Sequence, residues 1–182
     1  ARVEVAKLLE TSVVQPLRLL GMEDAPFVVV VTETESYTPL GMDSVAYLFT
    51  ANRTTKPGAV ERIASGGELS RIMLALKALI AERRMLPTVI FDEIDTGVSG
   101  RIADAMGDII ARLAESMQIV DITHLPQVAS KSGAHFVVYK EEGRTNIRRL
   151  SKVERVGEIA KMLSGSEITD AALKQAKILL GK

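Results

Sequence analysis

A short apolar run that ends in two acidic residues constrains the fold of this 182-residue chain more than any other feature. Thr88-Val89-Ile90-Phe91 is too short and too apolar for anything but a buried strand, and Asp92 and Glu93 follow it directly. Charge at a buried strand end costs free energy unless something binds it. Because α/β proteins place ligands at the C-terminal ends of parallel strands, we expect a ligand here. The alternative is that Asp92 caps the next helix and Glu93 is solvated.

Helices and strands alternate around this run. The strongest predicted helix is Glu68–Arg84, whose continuous apolar stripe consists of Leu69, Ile72, Met73, Leu76, Leu79 and Ile80. A second helix is predicted over 100–116, and a second buried strand over 118–123. This order predicts an α/β fold with a mostly parallel sheet, right-handed crossovers and flanking helices.

The outer segments predict further helices and strands. An amphipathic helix is expected over 1–20, bent or near its end at Pro16, then strands over 27–32 and 44–51 around Pro39-Leu40-Gly41, and a loop over 52–58. Glu142-Gly143 predicts the turn of a hairpin between 134–139 and 145–150. Two helices, over 153–163 and 169–180 with Gly165 between them, close the chain.

Composition excludes several classes of protein. Lysine plus arginine equal aspartate plus glutamate at 23 each, so the strong basic excess of many nucleic-acid binders is missing. The chain has no cysteine, which excludes disulfides and thiolate metal sites and fits a reducing cytoplasm. No apolar run reaches the roughly 18 residues that a membrane span needs. We therefore expect a cytoplasmic protein without membrane contact.

Ser65-Gly66-Gly67-Glu68 stands directly before the strongest helix. Ser-x-x-Glu is a capping box, in which the serine caps the helix and the glutamate occupies its third position. The same geometry also favours anions, because two glycines let a phosphate approach the backbone and the helix dipole attracts it. The two interpretations do not exclude one another.

Two further segments flank the second helix and its strand. Asp95-Thr96-Gly97-Val98-Ser99-Gly100 predicts a turn in which Ser99 caps the next helix. His124, just past the strand over 118–123, could hydrogen-bond a phosphate oxygen and sense its presence, or could instead cap the helix after Leu125-Pro126. His135 has no predicted role.

The order of these parts is that of the C-terminal half of an ABC-type ATPase. In such an ATPase, 65–68 would be the signature motif, Asp92 and Glu93 the Walker B carboxylates, 95–100 the D-loop and His124 the switch histidine, with a helix after the signature and a helix and a strand after the D-loop. Three segments resemble the RecN family, bacterial DNA-repair proteins related to SMC proteins. They are Ile63–Arg71, Phe91–Gly100 and Thr123–Ala129, and the last is the most specific. The similarity extends from about Phe27 to the C-terminus. Transporter ATPases usually have glutamine and proline where this chain has Glu68 and Ile94.

The resemblance implies a role for each candidate residue. Asp92 would coordinate Mg²⁺ through water, Glu93 would activate the attacking water, and His124 would contact the γ-phosphate of ATP. The signature residues Ser65, Gly66, Gly67 and Glu68 would bind ATP held by a second subunit, and Asp95 would help to couple the two sites. The family further implies DNA as a partner, a homodimer through the heads, and a cytoplasmic, nucleoid-associated location.

The Walker A P-loop of such ATPases has no counterpart in this sequence. Gly-x-x-x-x-Gly-Lys-Ser/Thr does not occur, and Gly97 to Gly100 has no lysine in the required place. The resemblance therefore implies a C-terminal lobe, over 21–182, whose N-terminal P-loop lobe lies elsewhere in the same protein. Residues 1–20 would be the end of a coiled-coil arm, cut at its start. We expect this chain alone to hydrolyse ATP negligibly.

Two alternatives remain open. One is the nucleotide-binding half of a transporter, and the other is a non-catalytic interaction module in which Asp92, Glu93 and His124 coincide by chance. Arg148, Arg149, Lys152 and Arg155 form a small basic cluster near the hairpin, for which a solvated surface is the simpler interpretation than a DNA contact.

Overall fold

A sheet of antiparallel strands and two long helices form the first of two structural units. The computed structural model describes residues 1–23, 25–39, 41–50, 56–165 and 167–181. Its first unit comprises Ala1–Val89 and Ile94–Val98, and its second comprises Ile90–Glu93 and Ser99–Lys182. The predicted separation at Leu40, the end of the strand predicted over 44–51 and most of the loop predicted over 52–58 lie outside the described residues.

The elements follow the predicted order, with short additions. The first unit contains α1 (Arg2–Leu19), β1 (Phe27–Thr38), β2 (Gly41–Phe49), β3 (Gly58–Ala59), α2 (Val60–Ile63), α3 (Gly66–Arg84) and the start of β4 (Thr88–Asp92). The second contains the rest of β4, then α4 (Gly100–Leu113), β5 (Gln118–Ile122), α5 (Pro126–Ala129), β6 (Phe136–Glu141), β7 (Arg144–Arg149), α6 (Lys152–Ser164) and α7 (Asp170–Leu179). The elements β3 and α2 were not predicted, and α5 was expected only in the alternative in which His124 caps a helix.

Antiparallel pairing holds the first unit together. Strand β2 lies between β1 and β3 and runs antiparallel to both. Helix α1 packs its buried Val13 and Leu17 into a core shared with Phe27 and Phe49. Pro16 lies in the last turns of α1, as predicted. The coiled-coil assignment of 1–20 stays a prediction.

The predicted apolar stripe of α3 is only partly correct. Ile72 is buried, whereas Leu69, Met73 and Ile80 are exposed. The residues that α3 buries are mostly small, namely Ile72, Leu74, Ala75, Ala78 and Ala81. Alanine allows a helix to approach its neighbours closely, so the packed face follows residue size as well as hydrophobicity.

Strands β4 and β5 are hydrogen-bonded neighbours connected through α4, the arrangement of a parallel βαβ unit. This confirms the predicted parallel pair, and the remaining strand pairs of the described residues are antiparallel. The prediction that both strands are buried is wrong. Ile90 is 62% exposed, Val120 43% and Ile122 51%, so one face of the pair is open and apolar. On the opposite face Phe91 is fully buried, whereas Val89, Ile119 and Asp121 are half-buried.

A hairpin and two helices complete the second unit. Strands β6 and β7 pair antiparallel across Glu142 and Gly143, both with positive φ, which confirms the predicted hairpin. Helices α6 and α7 pack through Ile159, Ala160, Ala172 and Ala176. Helix α4 ends at Leu113, three residues before the predicted end at Ser116. Among the described residues, no helix is long and apolar enough to cross a membrane.

Candidate functional site

Ser65 and Glu68 form the capping box that the sequence predicts. The Ser65 side chain accepts a hydrogen bond from the Glu68 backbone N–H, and Glu68 Oε2 accepts from the Ser65 backbone N–H at 2.8 Å. The box fixes the first turn of α3, so Gly66 and Gly67 lie at a helix N-terminus. A Cβ on Gly66 would have no heavy atom within 4 Å. This helix start is therefore open to an approaching group.

The signature segment contacts the D-loop segment within the first unit. A Cβ on Gly67 would lie 2.5 Å from the Gly97 carbonyl oxygen, so only glycine allows this approach. The Ser70 hydroxyl donates a hydrogen bond to the Thr96 carbonyl oxygen at 3.3 Å. Asp95 is buried in the same unit. The sequence placed these segments in order but did not predict their contact, because their 30-residue separation carries no local signal.

Asp92 and Glu93 lie at the C-terminal end of β4, as predicted, and both are exposed. Glu93 has a φ of 48°, a left-handed conformation that is uncommon outside glycine and costs free energy. Its backbone N–H donates to the Ile122 carbonyl oxygen at 3.0 Å, which joins it to the end of β5. The alternative that Asp92 caps the next helix is wrong, because α4 begins after Ser99.

His124 lies in the short link between β5 and α5. The Thr123 Oγ1 accepts a hydrogen bond from the Leu125 backbone N–H at 3.0 Å, which fixes this link. Leu125 holds the N-cap position of α5 and Pro126 begins the helix, so His124 is exposed and is not the cap. Glu93 is hydrogen-bonded to Ile122, the last residue of β5, and His124 follows two residues later. Glu93 and His124 therefore lie at the same edge of the β4–β5 pair.

Ser99 differs in part from the expectation that it caps the next helix. Ser99 holds the N-cap position of α4 but makes no side-chain capping hydrogen bond. Among the residues that the structure describes, no group of three or more histidine, cysteine or acidic side chains is arranged to hold a metal ion. The signature residues and Asp95 belong to the first unit, whereas Asp92, Glu93 and His124 belong to the second.

Arg148, Arg149 and Lys152 of the basic cluster are exposed, in agreement with the solvated surface that the sequence favours. Arg148 pairs with Glu154 at 2.7 Å. The capping hydrogen bonds with Ser151, and to a lesser degree this ion pair, lower the pKa of Glu154 to about 2. Arg155 is half-buried, and its Nη2 donates to the Ser130 carbonyl oxygen at 2.7 Å and to the Ala129 carbonyl oxygen at 3.3 Å. Arg148 and Arg155 therefore have structural partners within the second unit.

A lysine clamp that the sequence did not reveal holds α5 against α4. Lys131, just after α5, forms ion pairs with Asp104 at 2.9 Å and Asp108 at 2.8 Å, both on α4. The hydrogen bonds to Asp108 and then to Asp104 raise the pKa of Lys131 above its usual value. The i, i+4 spacing of the two aspartates on one helix face is the sequence signal that could have found it.

Relatives that the chain matches include DNA repair proteins named RecN. No protein-family model matches the chain. The DNA repair protein RecN of Rickettsia bellii is 40% identical over 183 residues, covering 98% of this chain and 33% of the relative. RecN of Haemophilus influenzae is 39% identical over 99% of this chain, and RecN of Bacillus subtilis 43% identical over 79%. The chain spans about a third of the length of the curated relatives it matches.

Solved structures give the fold. An SMC ATPase, described for its ATP-driven dimerization and DNA-stimulated activation, superposes with a TM-score of 0.66 at 16% identity, covering 90% of this chain and 96% of that one. The Smc head domain of Pyrococcus yayanosii, with a coiled coil and joint, superposes with a TM-score of 0.68 at 16% identity. It covers 97% of this chain and 30% of that one. At such identities the likeness shows the fold alone.

Proposed function

We propose that this chain, which is similar to proteins named RecN over nearly its whole length and has the fold of Smc heads, is the C-terminal lobe of an ATPase head. It supplies the catalytic carboxylate, the switch histidine and the signature motif of a head that binds and hydrolyses ATP. The observation that carries the proposal is the hydrogen bond from the Glu93 N–H to the Ile122 carbonyl oxygen, which brings Glu93 and His124 to one sheet edge. The RecN relatives favour a repair ATPase over a transporter half or a non-catalytic module.

Asp92 and Glu93 have separate roles in this proposal. Asp92 would hold Mg²⁺ through water. The exposed strand end fits this ion, because Mg²⁺ keeps several waters and takes phosphate oxygens instead of needing an all-protein cage. Bound Mg²⁺ would neutralise phosphate charge. Glu93 would accept the proton of the water that attacks the γ-phosphate, the role of a general base.

His124 would donate a hydrogen bond to a γ-phosphate oxygen. Two features support this assignment: the ring is exposed, and the Thr123 side chain fixes the link that carries it. A histidine at the end of a parallel strand is well placed to detect whether the terminal phosphate is present, because imidazole can donate at either nitrogen.

The signature residues would act on ATP held by a second head. Ser65, Gly66 and Gly67 lie at the N-terminus of a 19-residue helix, where backbone N–H groups and the helix dipole favour a phosphate. Glu68 would keep that helix start rigid through its capping hydrogen bonds. The close approach of Gly67 to Gly97 supports the proposed coupling through Asp95, because the signature and the D-loop would have to move together.

The exposed apolar face of β4 and β5 supports the proposed N-terminal lobe as a partner within the same protein. Ile90, Val120 and Ile122 present an apolar surface that water solvates poorly. We propose that a lobe carrying the P-loop covers it, and that this chain alone hydrolyses ATP negligibly. The complete protein would act as a head dimer with DNA, in double-strand-break repair in the cytoplasm at the nucleoid.

The test measures Mg²⁺-dependent ATP hydrolysis by the complete protein that contains this chain. Glu93→Gln should lower kcat about 10²–10⁴-fold while nucleotide still binds, because the amide cannot accept the proton. Glu142→Gln is the matched control: Glu142 has the same φ of 48° but lies at the hairpin turn, and its substitution should leave the rate unchanged. Hydrolysis that survives Glu93→Gln would refute the assignment.

A further inference from the structure

Helix α5 follows His124 almost directly and has little stability of its own. It contains four residues, and a single helical turn is unstable in water because nucleation costs more than its few hydrogen bonds return. Its position must therefore come from contacts with neighbouring elements. Pro126, Val128 and Ala129 are buried, so the turn is packed into the second unit.

Helix α4 provides the first of these contacts. Gly107 allows α5 to approach: a Cβ there would lie 3.3 Å from the Gln127 carbonyl oxygen, 3.3 Å from Val128 Cα and 2.9 Å from Lys131 Cγ. The Lys131 ammonium then reaches Asp104 and Asp108, one helical turn apart on α4. A lysine between two carboxylates resists sliding along the helix in either direction.

Helix α6 also holds α5, at the C-terminal end that Lys131 follows. The Arg155 guanidinium donates to the carbonyl oxygens of Ala129 and Ser130, at the C-terminal end of α5, and to the Ser132 hydroxyl. The Ala129 carbonyl oxygen also accepts a hydrogen bond from the Ser132 hydroxyl at 2.9 Å. The C-terminal end of α5 is thus held by Arg155 of α6 and by the ion pairs of Lys131 with α4.

We propose that Lys131 is a positioning residue for His124, acting by fastening α5 to α4 and so fixing the link that carries the histidine. The link is short: β5 ends at Ile122 and α5 begins at Pro126, and the hydrogen bond from the Leu125 N–H to the Thr123 Oγ1 restrains it. A displacement of α5 must therefore move the imidazole. This inference rests on the proposed role of His124 in ATP hydrolysis.

The ion pairs of Lys131 with Asp104 and Asp108 fix the position of α5 more than they stabilise the folded chain. The side chains of Lys131, Asp104 and Asp108 are 28%, 45% and 54% exposed. Pairs this exposed contribute little to the free energy of unfolding, because water screens the two charges. Loss of the clamp should therefore leave the chain folded, which makes a positioning role separable from a structural one.

NMR of the histidine side chains, recorded in the absence of nucleotide, tests whether Lys131 positions His124. The chain has two histidines, so selectively labelled imidazole rings give one signal set for His124 and one for His135. Lys131→Met should shift or broaden the His124 signals, whereas Lys131→Arg should restore them. The His135 signals report that the unit stays folded. Lys161→Met, an exposed lysine on α6, is the matched control and should leave both sets in place. His124 signals that are identical in Lys131→Met and wild type would overturn the proposal.

Gly107→Ala disturbs the same packing without removing a charge, and should shift the same His124 signals. If the His124 signals stay in place in both Gly107→Ala and Lys131→Met, α5 does not position the histidine.

Kinetics of the complete protein connect the clamp to the reaction. Lys131→Met should lower kcat about tenfold with KM within about twofold, as expected when a catalytic group is misplaced but substrate binding is not. Lys131→Arg should restore kcat. Shifted His124 signals with an unchanged kcat would refute the positioning role. If His124→Ala itself leaves hydrolysis intact, the proposed function of His124 fails, and the NMR result still decides whether the clamp exists.

Discussion

Gly67 and Gly97 lie backbone against backbone: a Cβ on Gly67 would be 2.5 Å from the carbonyl oxygen of Gly97. Gly67 is in the first turn of α3, and Gly97 has a φ of 78°, which itself favours glycine, so Gly97 is constrained by its conformation as well as by the contact. Backbone atoms cannot move aside as a flexible side chain can. The pair therefore fixes the distance between the signature and D-loop segments of the first unit.

A Gly67→Ala substitution should destabilise the chain by about 1–3 kcal/mol, because the methyl group meets backbone and forces the two segments apart. The adjacent Gly66→Ala is the matched control. A Cβ there meets nothing within 4 Å, and alanine is favoured over glycine in a helix, so its stability should be unchanged or raised by up to about 1 kcal/mol. Urea denaturation of both variants measures the difference. Equal stabilities would show that the contact is not tight.

The left-handed conformation of Glu93 predicts a conflict between stability and activity. Glycine adopts a φ of 48° without the steric cost that a side chain incurs, so Glu93→Gly should raise the free energy of unfolding by about 1 kcal/mol while abolishing hydrolysis in the complete protein. Glu93→Gln keeps the side-chain size and should leave stability within about 0.5 kcal/mol of wild type. Thermal unfolding distinguishes the two variants. A destabilised Glu93→Gly would mean that side-chain contacts outweigh the strain.

Local signals in the sequence predicted the local structure well. The capping box of Ser65 and Glu68 and the two-residue turn at Glu142 and Gly143 depend on residues three or fewer positions apart, and both are confirmed. The placement of Asp92 and Glu93 at a strand end followed in the same way from one short run. Such features need no knowledge of what the element packs against.

Features that depend on distant contacts were missed or wrong. The exposure of Ile90 and Ile122 is one case, because an apolar strand predicts burial whatever part of the protein covers it. The face that α3 buries is another, since alanines pack closely but carry a weak hydrophobic signal. The clamp of Lys131 joins residues from two helices, and no single periodic pattern contains it.

Met85 lies outside the candidate functional site, and replacing it should raise the free energy of unfolding. It follows α3 in a left-handed conformation, with φ 50° and ψ 48°, and its side chain is 86% exposed. Glycine is preferred at such a position, and little packing would be lost, so Met85→Gly should stabilise the chain by about 0.5–1 kcal/mol. Met85→Ala removes the same side chain but keeps the strain, and should not stabilise it. If both variants gain equally in thermal unfolding, the gain comes from side-chain removal and not from the backbone.

His135 predicts a loss of stability on acidification. Burial, and to a lesser degree the positive charge of Arg155, lower the pKa of His135 below its usual 6.5, against an opposing effect of Glu158. As the pH falls through about 6.5, the unfolded chain binds a proton at this residue that the folded chain does not, so the folded state loses stability. The loss stops below the folded-state pKa. The free-energy difference between wild type and His135→Leu, measured by denaturation from pH 8 to pH 5, should therefore shift against wild type as pH falls. A difference that is independent of pH, or an NMR titration that places the pKa of His135 above 6.5, would contradict this expectation.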